Sequence, residues 1–216
     1  MLRPIAALAL MMLAACGANT DLTDPPVPLG EFALGLNVAV ADKAEMVPIS
    51  RPATEEEWET SMKDAVAARF GRYEGTKLYN IGISIDGFAL APPGIPVVAA
   101  PKSVLVVTAN IWDDGAQKKL NAEGKQFTVF ESLSGETVIG TGLTRTKKQQ
   151  MDALSFNAVK RVESWLLEHP EWFDMTKAEL DAALAARDEA IKAETKAKAK
   201  AKPVPEAEPA EIPPPK

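Results

Sequence analysis

The chain has 216 residues, a formal net charge of −6, one cysteine and one histidine. The acidic balance excludes a general nucleic-acid binder, which needs a basic face. A lone cysteine and a lone histidine exclude an intramolecular disulfide and any metal cluster built on cysteines or histidines, so the fold must rest on its apolar core.

The chain opens with a short positive start at Arg3, then nine apolar residues from Ile5 to Leu13, then Ala14, Ala15 and Cys16. A charged start, an apolar run and small residues before a cleavage point make a secretory signal peptide. The run is too short to span a bilayer, which takes ~20 apolar residues. The four residues Leu13, Ala14, Ala15 and Cys16, "LAAC", resemble the lipobox of bacterial lipoproteins. The resemblance implies cleavage between Ala15 and Cys16, a diacylglycerol on the Cys16 sulfur and a further acyl chain on its new amino group. Multiple chains anchor stably where one is marginal. Gly17 rather than an aspartate follows Cys16. By the same resemblance this implies an outer-membrane anchor, with the domain facing the periplasm.

Residues 1–15 are therefore expected to be a signal peptide. Residues 16–30, "CGANTDLTDPPVPLG", are polar and Pro-rich and read as a lipidated linker lifting the domain off the membrane. A domain is expected over 31–173. It begins with "EFALGLNVAVA", where Phe32, Leu34, Leu36, Val38 and Val40 alternate with small residues. The period of two predicts a strand with all five on one apolar face. Thr54 and Glu57 then fit a capping box, and Trp58, Met62, Ala65, Val66 and Phe70 recur at helical spacing, with an end near Gly71 or Gly75. A strand follows with Tyr79, Ile81, Ile83 and Ile85 on one face, Gly87 marking a bulge or an end. The Pro-rich stretch 91–102 predicts a loop. "SVLVVTANIWDD" is apolar on nearly both faces and predicts a central strand. Residues 115–124 read as a long hairpin loop, "KQFTVFESL" as a returning strand, and "ETVIGTGLTRT" as a further strand. Met151, Leu154, Ala158, Val162, Trp165 and Leu166 form one helical stripe, which Pro170 should end or kink.

The order β-α-β-β-β-β-α predicts an α+β fold: a mostly antiparallel sheet of about five strands with helices on one face. Residues 174–202 are rich in Ala, Lys and Glu, with a capping box at Thr176 and Glu179 and a thin stripe at Leu180, Leu184 and Ile191. They predict a mostly solvated helix. The Pro-rich residues 203–216 predict a disordered tail.

The residues offer little for chemistry. No catalytic, cofactor-binding or metal-binding set is expected. His169, beside a helix end, reads as a structural cap. Asp113 and Asp114 read as turn residues. Arg145, Lys147 and Lys148 form the densest basic patch of the domain and are the candidate anion contact. The lysines at 192–202 are a candidate weak contact to anionic peptidoglycan stems. In element order, from "LAAC" and the Pro-rich linker through one strand, one capped helix, a meander and a closing helix, the chain resembles small periplasmic lipoproteins. These serve as auxiliary or activator subunits of envelope machines. The resemblance implies a membrane-anchored, non-catalytic binding module with an envelope protein partner. The alternatives are a hydrolase of cell-wall or lipid material, using carboxylates such as Asp86, Asp113 or Asp114, and a structural spacer. The hydrolase requires two of those carboxylates in one concave pocket with perturbed pKa values.

Overall fold

Thr54 starts the first helix as its spacing predicts. Its hydroxyl accepts from the Glu57 N–H at 3.2 Å, and the Glu57 carboxylate accepts from the Thr54 N–H at 2.9 Å. In this computed structural model, which describes residues 20–92, 103–131 and 145–200, α1 runs over Glu55–Phe70 and buries Trp58, Met62, Val66 and Phe70. A second capping box, Thr146 with Gln149, starts α2 over Lys147–Leu166. The expected stripe of α2 is buried from Met151 to Leu166. The helix stops before Pro170, and a 3-10 turn at Pro170–Phe173 follows. Thr176 and Glu179 cap the third helix, α3, over Lys177–Lys200. Thr146→Ala should lower stability by about 1 kcal/mol, the usual worth of a side-chain N-cap; a urea midpoint at the wild-type value would contradict it.

The sheet is α+β and largely antiparallel, as expected. It holds six strands among the described residues: β1 Phe32–Val40, β2 Glu45–Met46, β3 Lys77–Ala89, β4 Val104–Asp113, β5 Lys118–Lys119 and β6 Lys125–Phe130. β4 is central, with β3 on one side and β5 and β6 on the other. The exceptions to antiparallel pairing are β1 and β2, both parallel to β3. For β1, this follows from α1 being the crossover between the two strands. The loop expected at 115–124 contains the two-residue β5, which pairs with Trp112 and Asp113. A register shift between Ile85 and Gly87 places the bulge the sequence suggested near Gly87, and β3 continues beyond it to Ala89. The strand expected over 136–146 falls almost wholly outside the described residues, as do Ala15, Cys16 and the tail 203–216.

Tyr79, Ile81, Ile83 and Ile85 of β3, with Leu105, Val107, Ala109 and Ile111 of β4, face α1 and α2 and are buried. An aromatic knot closes one end of the core. The Phe32 ring lies 5.2 Å from both Tyr73 and Tyr79, 5.7 Å from Phe70 and 5.9 Å from Phe173.

Two expectations change. The alternation of β1 predicted Phe32, Leu34, Leu36, Val38 and Val40 on one face. The pairing with β3 instead slips between Leu34 and Asn37. The side chains swap faces there, because one extra residue reverses the alternation of a strand. Phe32 and Ala39 are buried, whereas Leu36, Val38 and Val40 are 64 %, 48 % and 40 % exposed. The irregularity is held by Asn80, whose Oδ1 accepts from the Leu36 N–H at 2.7 Å. Gly35 makes room for it, since a Cβ there would meet that Oδ1 at 2.4 Å.

The expected linker also changes character from Thr20 onward. Thr20–Leu22 is a 3-10 turn, Leu29 is buried, and Arg69, Arg72 and Arg187 donate to Asp21, Leu22, Asp24 and Pro25. Charged donors meeting these acceptors hold the segment against the helices. Arg187 ties α3 to the same segment, Leu180 is buried, and the rest of that helix is mostly solvated as expected.

Candidate functional site

The reversal in β1 creates the main candidate site. Both α1 and α2 cover one face of the sheet, and among the described residues no element covers the other. Leu36, Val38 and Val40 line a groove of about 430 Å³ on that open face with Gly82, Asn110 and Trp112. The Trp112 indole lies across Gly82, where a Cβ would come within 2.9 Å of the ring. Glycine thus lets a large aromatic lie close over the strand. The lining is mostly apolar, with Asn110 beside Gly82 and the charged groups at one end.

That end carries Asp113 and Asp114. Asp113 Oδ1 accepts from the Ala116 N–H at 2.8 Å, which is the bonding of a turn aspartate. Asp114 Oδ1 accepts from Asn80 Nδ2 at 2.8 Å, so it braces the same asparagine that holds the β1 bulge. Asp86 lies elsewhere on the open face, accepting from Thr108 Oγ1 at 2.6 Å and Gln126 Nε2 at 3.0 Å. Thr108 and Asp113 are five residues apart on β4, which separates the two positions by ~17 Å at strand rise. The three carboxylates therefore do not converge. Asp113 and Asp114 share the groove, but each is engaged by donors of its own fold.

A second cleft of about 310 Å³ opens between the first turns of α1 and α2, among Glu57, Ser61, Lys147, Lys148, Met151 and Asp152. The cations of the expected anion contact lie here and beside it. Lys147 binds Glu57 at 2.7 Å, Lys148 binds Asp152 at 2.7 Å, and Arg145 binds the buried Glu131 at 2.8 Å. Each cation is thus matched to a carboxylate of the chain, and the α2 N-terminus is satisfied by its own capping box. The hydrogen bond from Lys147, followed by that from the Thr54 backbone, holds the Glu57 carboxyl below the usual range. Ser61 Oγ lies 3.2 Å from Asp152 Oδ1 and 3.0 Å from Ser155 Oγ, with no histidine to act as base. Among the described residues no group of three or more His, Cys, Asp or Glu is placed to hold a metal ion. The single histidine, His169, stacks on Trp172 at 4.0 Å, and its backbone N–H donates to the Leu166 carbonyl at the α2 terminus.

The third feature is a buried charge cluster at the C-terminal ends of α1 and α2. Arg69, 2 % exposed, donates to Glu163 at 2.6 Å and to Asp21 at 2.8 Å, with its guanidinium over the Phe156 ring. Tyr73 donates to the other Glu163 oxygen at 2.9 Å, and Lys160 lies 3.1 Å from Asp21. Burial, followed by the Glu163 charge, raises the Tyr73 hydroxyl pKa. At Asp21, burial opposes ionisation, but the hydrogen bonds and charges of Arg69 and Lys160 outweigh it and lower the pKa. Sequence spacing carries no signal for this cluster, since Arg69 and Glu163 are 94 residues apart.

No family model and no curated protein matches the chain. Solved structures similar to it include a Xanthomonas campestris protein of the DUF330 family, at 14 % identity, 71 % of this chain, 93 % of that chain and a TM-score of 0.38. The PelC dodecamer of Paraburkholderia phytofirmans shares 12 % identity over 62 % of this chain and 92 % of that one, with a TM-score of 0.29. A minor lipoprotein of Acinetobacter baumannii shares 12 % identity over 59 % of this chain and 94 % of that one, with a TM-score of 0.22. At such TM-scores the likenesses assign neither a fold family nor an activity to this chain.

Proposed function

We propose that the chain is a lipid-anchored protein of the bacterial cell envelope whose domain is a non-catalytic binding module. It would dock an envelope protein on the open face of its sheet. The observation that carries the binding role is the apolar groove of Leu36, Val38, Val40 and Trp112, left uncovered among the described residues. Contiguous exposed apolar surface of this kind marks interaction sites rather than ordinary scattered surface residues. The anchoring role rests on "LAAC" at residues 13–16. Among the described residues no helix is long and apolar enough to cross a membrane. The outer membrane is the proposed address, on the strength of Gly17.

Two experiments test the two halves separately. Cys16→Ser should move the protein from the membrane fraction to the soluble periplasmic fraction; unchanged fractionation would contradict the anchor. A photo-crosslinking side chain at Val38 should capture one discrete product in intact cells, while the same group at the exposed Glu189 of α3 should not. Equal capture from both positions, or none from Val38, would contradict the docking face.

A further inference from the structure

The lipidated cysteine and the pinned segment lie close together in the chain, which has a consequence for how the domain sits on a membrane. This rests on the anchor reading of Cys16. Residues 17–30, if free, would reach roughly 40 Å as an extended chain. They are not free from Asp21 onward. The Asp21 carboxylate is held by Arg69 and Lys160, and the Leu22 and Asp24 carbonyls accept from Arg72 at 2.8 and 2.9 Å. The Pro25 carbonyl accepts from Arg187 at 2.8 Å. Leu29 is buried in the core. Only four residues lie between Cys16 and Asp21, a span of at most ~17 Å when fully extended.

We infer that the domain stands directly on the lipid surface, with the C-terminal ends of α1 and α2 turned toward the bilayer. The surface apposed to lipid headgroups would be the one around Asp21, Arg72 and Glu74. The start of β3 lies at the same end, because it follows α1 and pairs beside the start of β1. So does the turn after β4, whose Asp114 N–H donates to the Leu78 carbonyl. The polar mouth of the groove at Asp113 and Asp114 is therefore membrane-proximal. The N-termini of α1 and α2, with Arg145, Lys147 and Lys148, are at the far end. Along α1, Glu56 lies ~20 Å beyond Arg69 at 1.5 Å per residue. The partner-facing groove would then run upward from the membrane rather than float on a long leash.

The test uses the full-length lipidated protein, purified from membranes and reconstituted into phosphatidylethanolamine and phosphatidylglycerol vesicles carrying a headgroup-labelled fluorescent acceptor. Because the native cysteine is acylated, Glu74→Cys or Glu56→Cys supplies the only free thiol for a donor dye. Both positions are exposed. Energy transfer to the bilayer should be roughly twofold or more stronger from Glu74→Cys, since Glu74 follows the C-terminal end of α1 and Glu56 lies ~20 Å back along the helix from Arg69. About twenty Gly and Ser residues inserted after Asn19 should abolish that difference without altering the fold. Equal or reversed transfer from the two sites in vesicle-bound protein would overturn the orientation alone. A difference that persists through the insertion would overturn the role of the short tether. Protein that fails to stay on the vesicles would overturn the anchor and the orientation together.

Discussion

Replacing Arg69 with methionine should destabilise the domain by about 3–5 kcal/mol, the cost of breaking a buried ion pair by removing one partner. The guanidinium is 2 % exposed and joins α1 to Glu163 of α2 and to Asp21 of the N-terminal segment. Methionine fills much of its volume but leaves the Glu163 carboxylate buried with Tyr73 as its remaining hydrogen-bond donor. Adding Glu163→Gln to Arg69→Met should recover part of the loss, because an uncompensated buried charge is then removed. Urea unfolding of the two single variants and the double variant measures the coupling. A cost below about 1 kcal/mol for Arg69→Met would mean that the cluster is solvated and weak, as exposed pairs are. The same cluster sets a pH dependence. Asp21 has a folded-state pKa below its ordinary value of 3.8. Its contribution is therefore fully present above that value and is lost as pH falls through the folded pKa, because the unfolded state binds the proton more readily. Wild-type stability should thus fall below about pH 4 more steeply than that of Asp21→Asn, in which this carboxylate is absent.

The second large effect lies in β1. Phe32→Ala should cost about 3–5 kcal/mol, as large-to-small changes of buried aromatics do. Its ring touches α1, the turn after it, β3 and the 3-10 turn at Phe173 at once. Val38→Ala, six residues along the same strand, should change stability by less than about 0.5 kcal/mol, as ordinary surface substitutions do. Simple alternation would place both side chains in one core and give both a large cost. The contrast therefore reads the register shift between Leu34 and Asn37 directly. A Val38→Ala cost near that of a core valine would restore the uninterrupted strand.

The difference between Phe32 and Val38 also shows what the sequence can reveal. The helices were legible because their signals are local. Thr54 and Glu57, or Thr176 and Glu179, are three residues apart, and the apolar stripes repeat every three or four. The Thr146–Gln149 box is equally local, yet the β-rich run before it reads as a strand continuing through Thr146. The bulge in β1 was not legible because its cause is Asn80, 44 residues away, with Gly35 as the only local trace. Segment 20–30 reads as a spacer from its prolines. The arginines that pin it lie 48 to 162 residues distant. The groove is a consequence of the bulge, so it shared that invisibility. A period of two places Leu36, Val38 and Val40 on the same face as Phe32. The basic patch at Arg145, Lys147 and Lys148 was visible as a run of charge, but its carboxylate partners Glu131, Glu57 and Asp152 were not visible as partners.

Anchoring of the domain depends on the chemistry of one cysteine. Mass spectrometry of the intact protein extracted from its native membrane reads that chemistry. The expected product begins at Cys16 and carries a thioether-linked diacylglycerol on Sγ. A chain that still bears residues 1–15 with an unmodified Cys16 thiol would contradict the anchor and everything built on it.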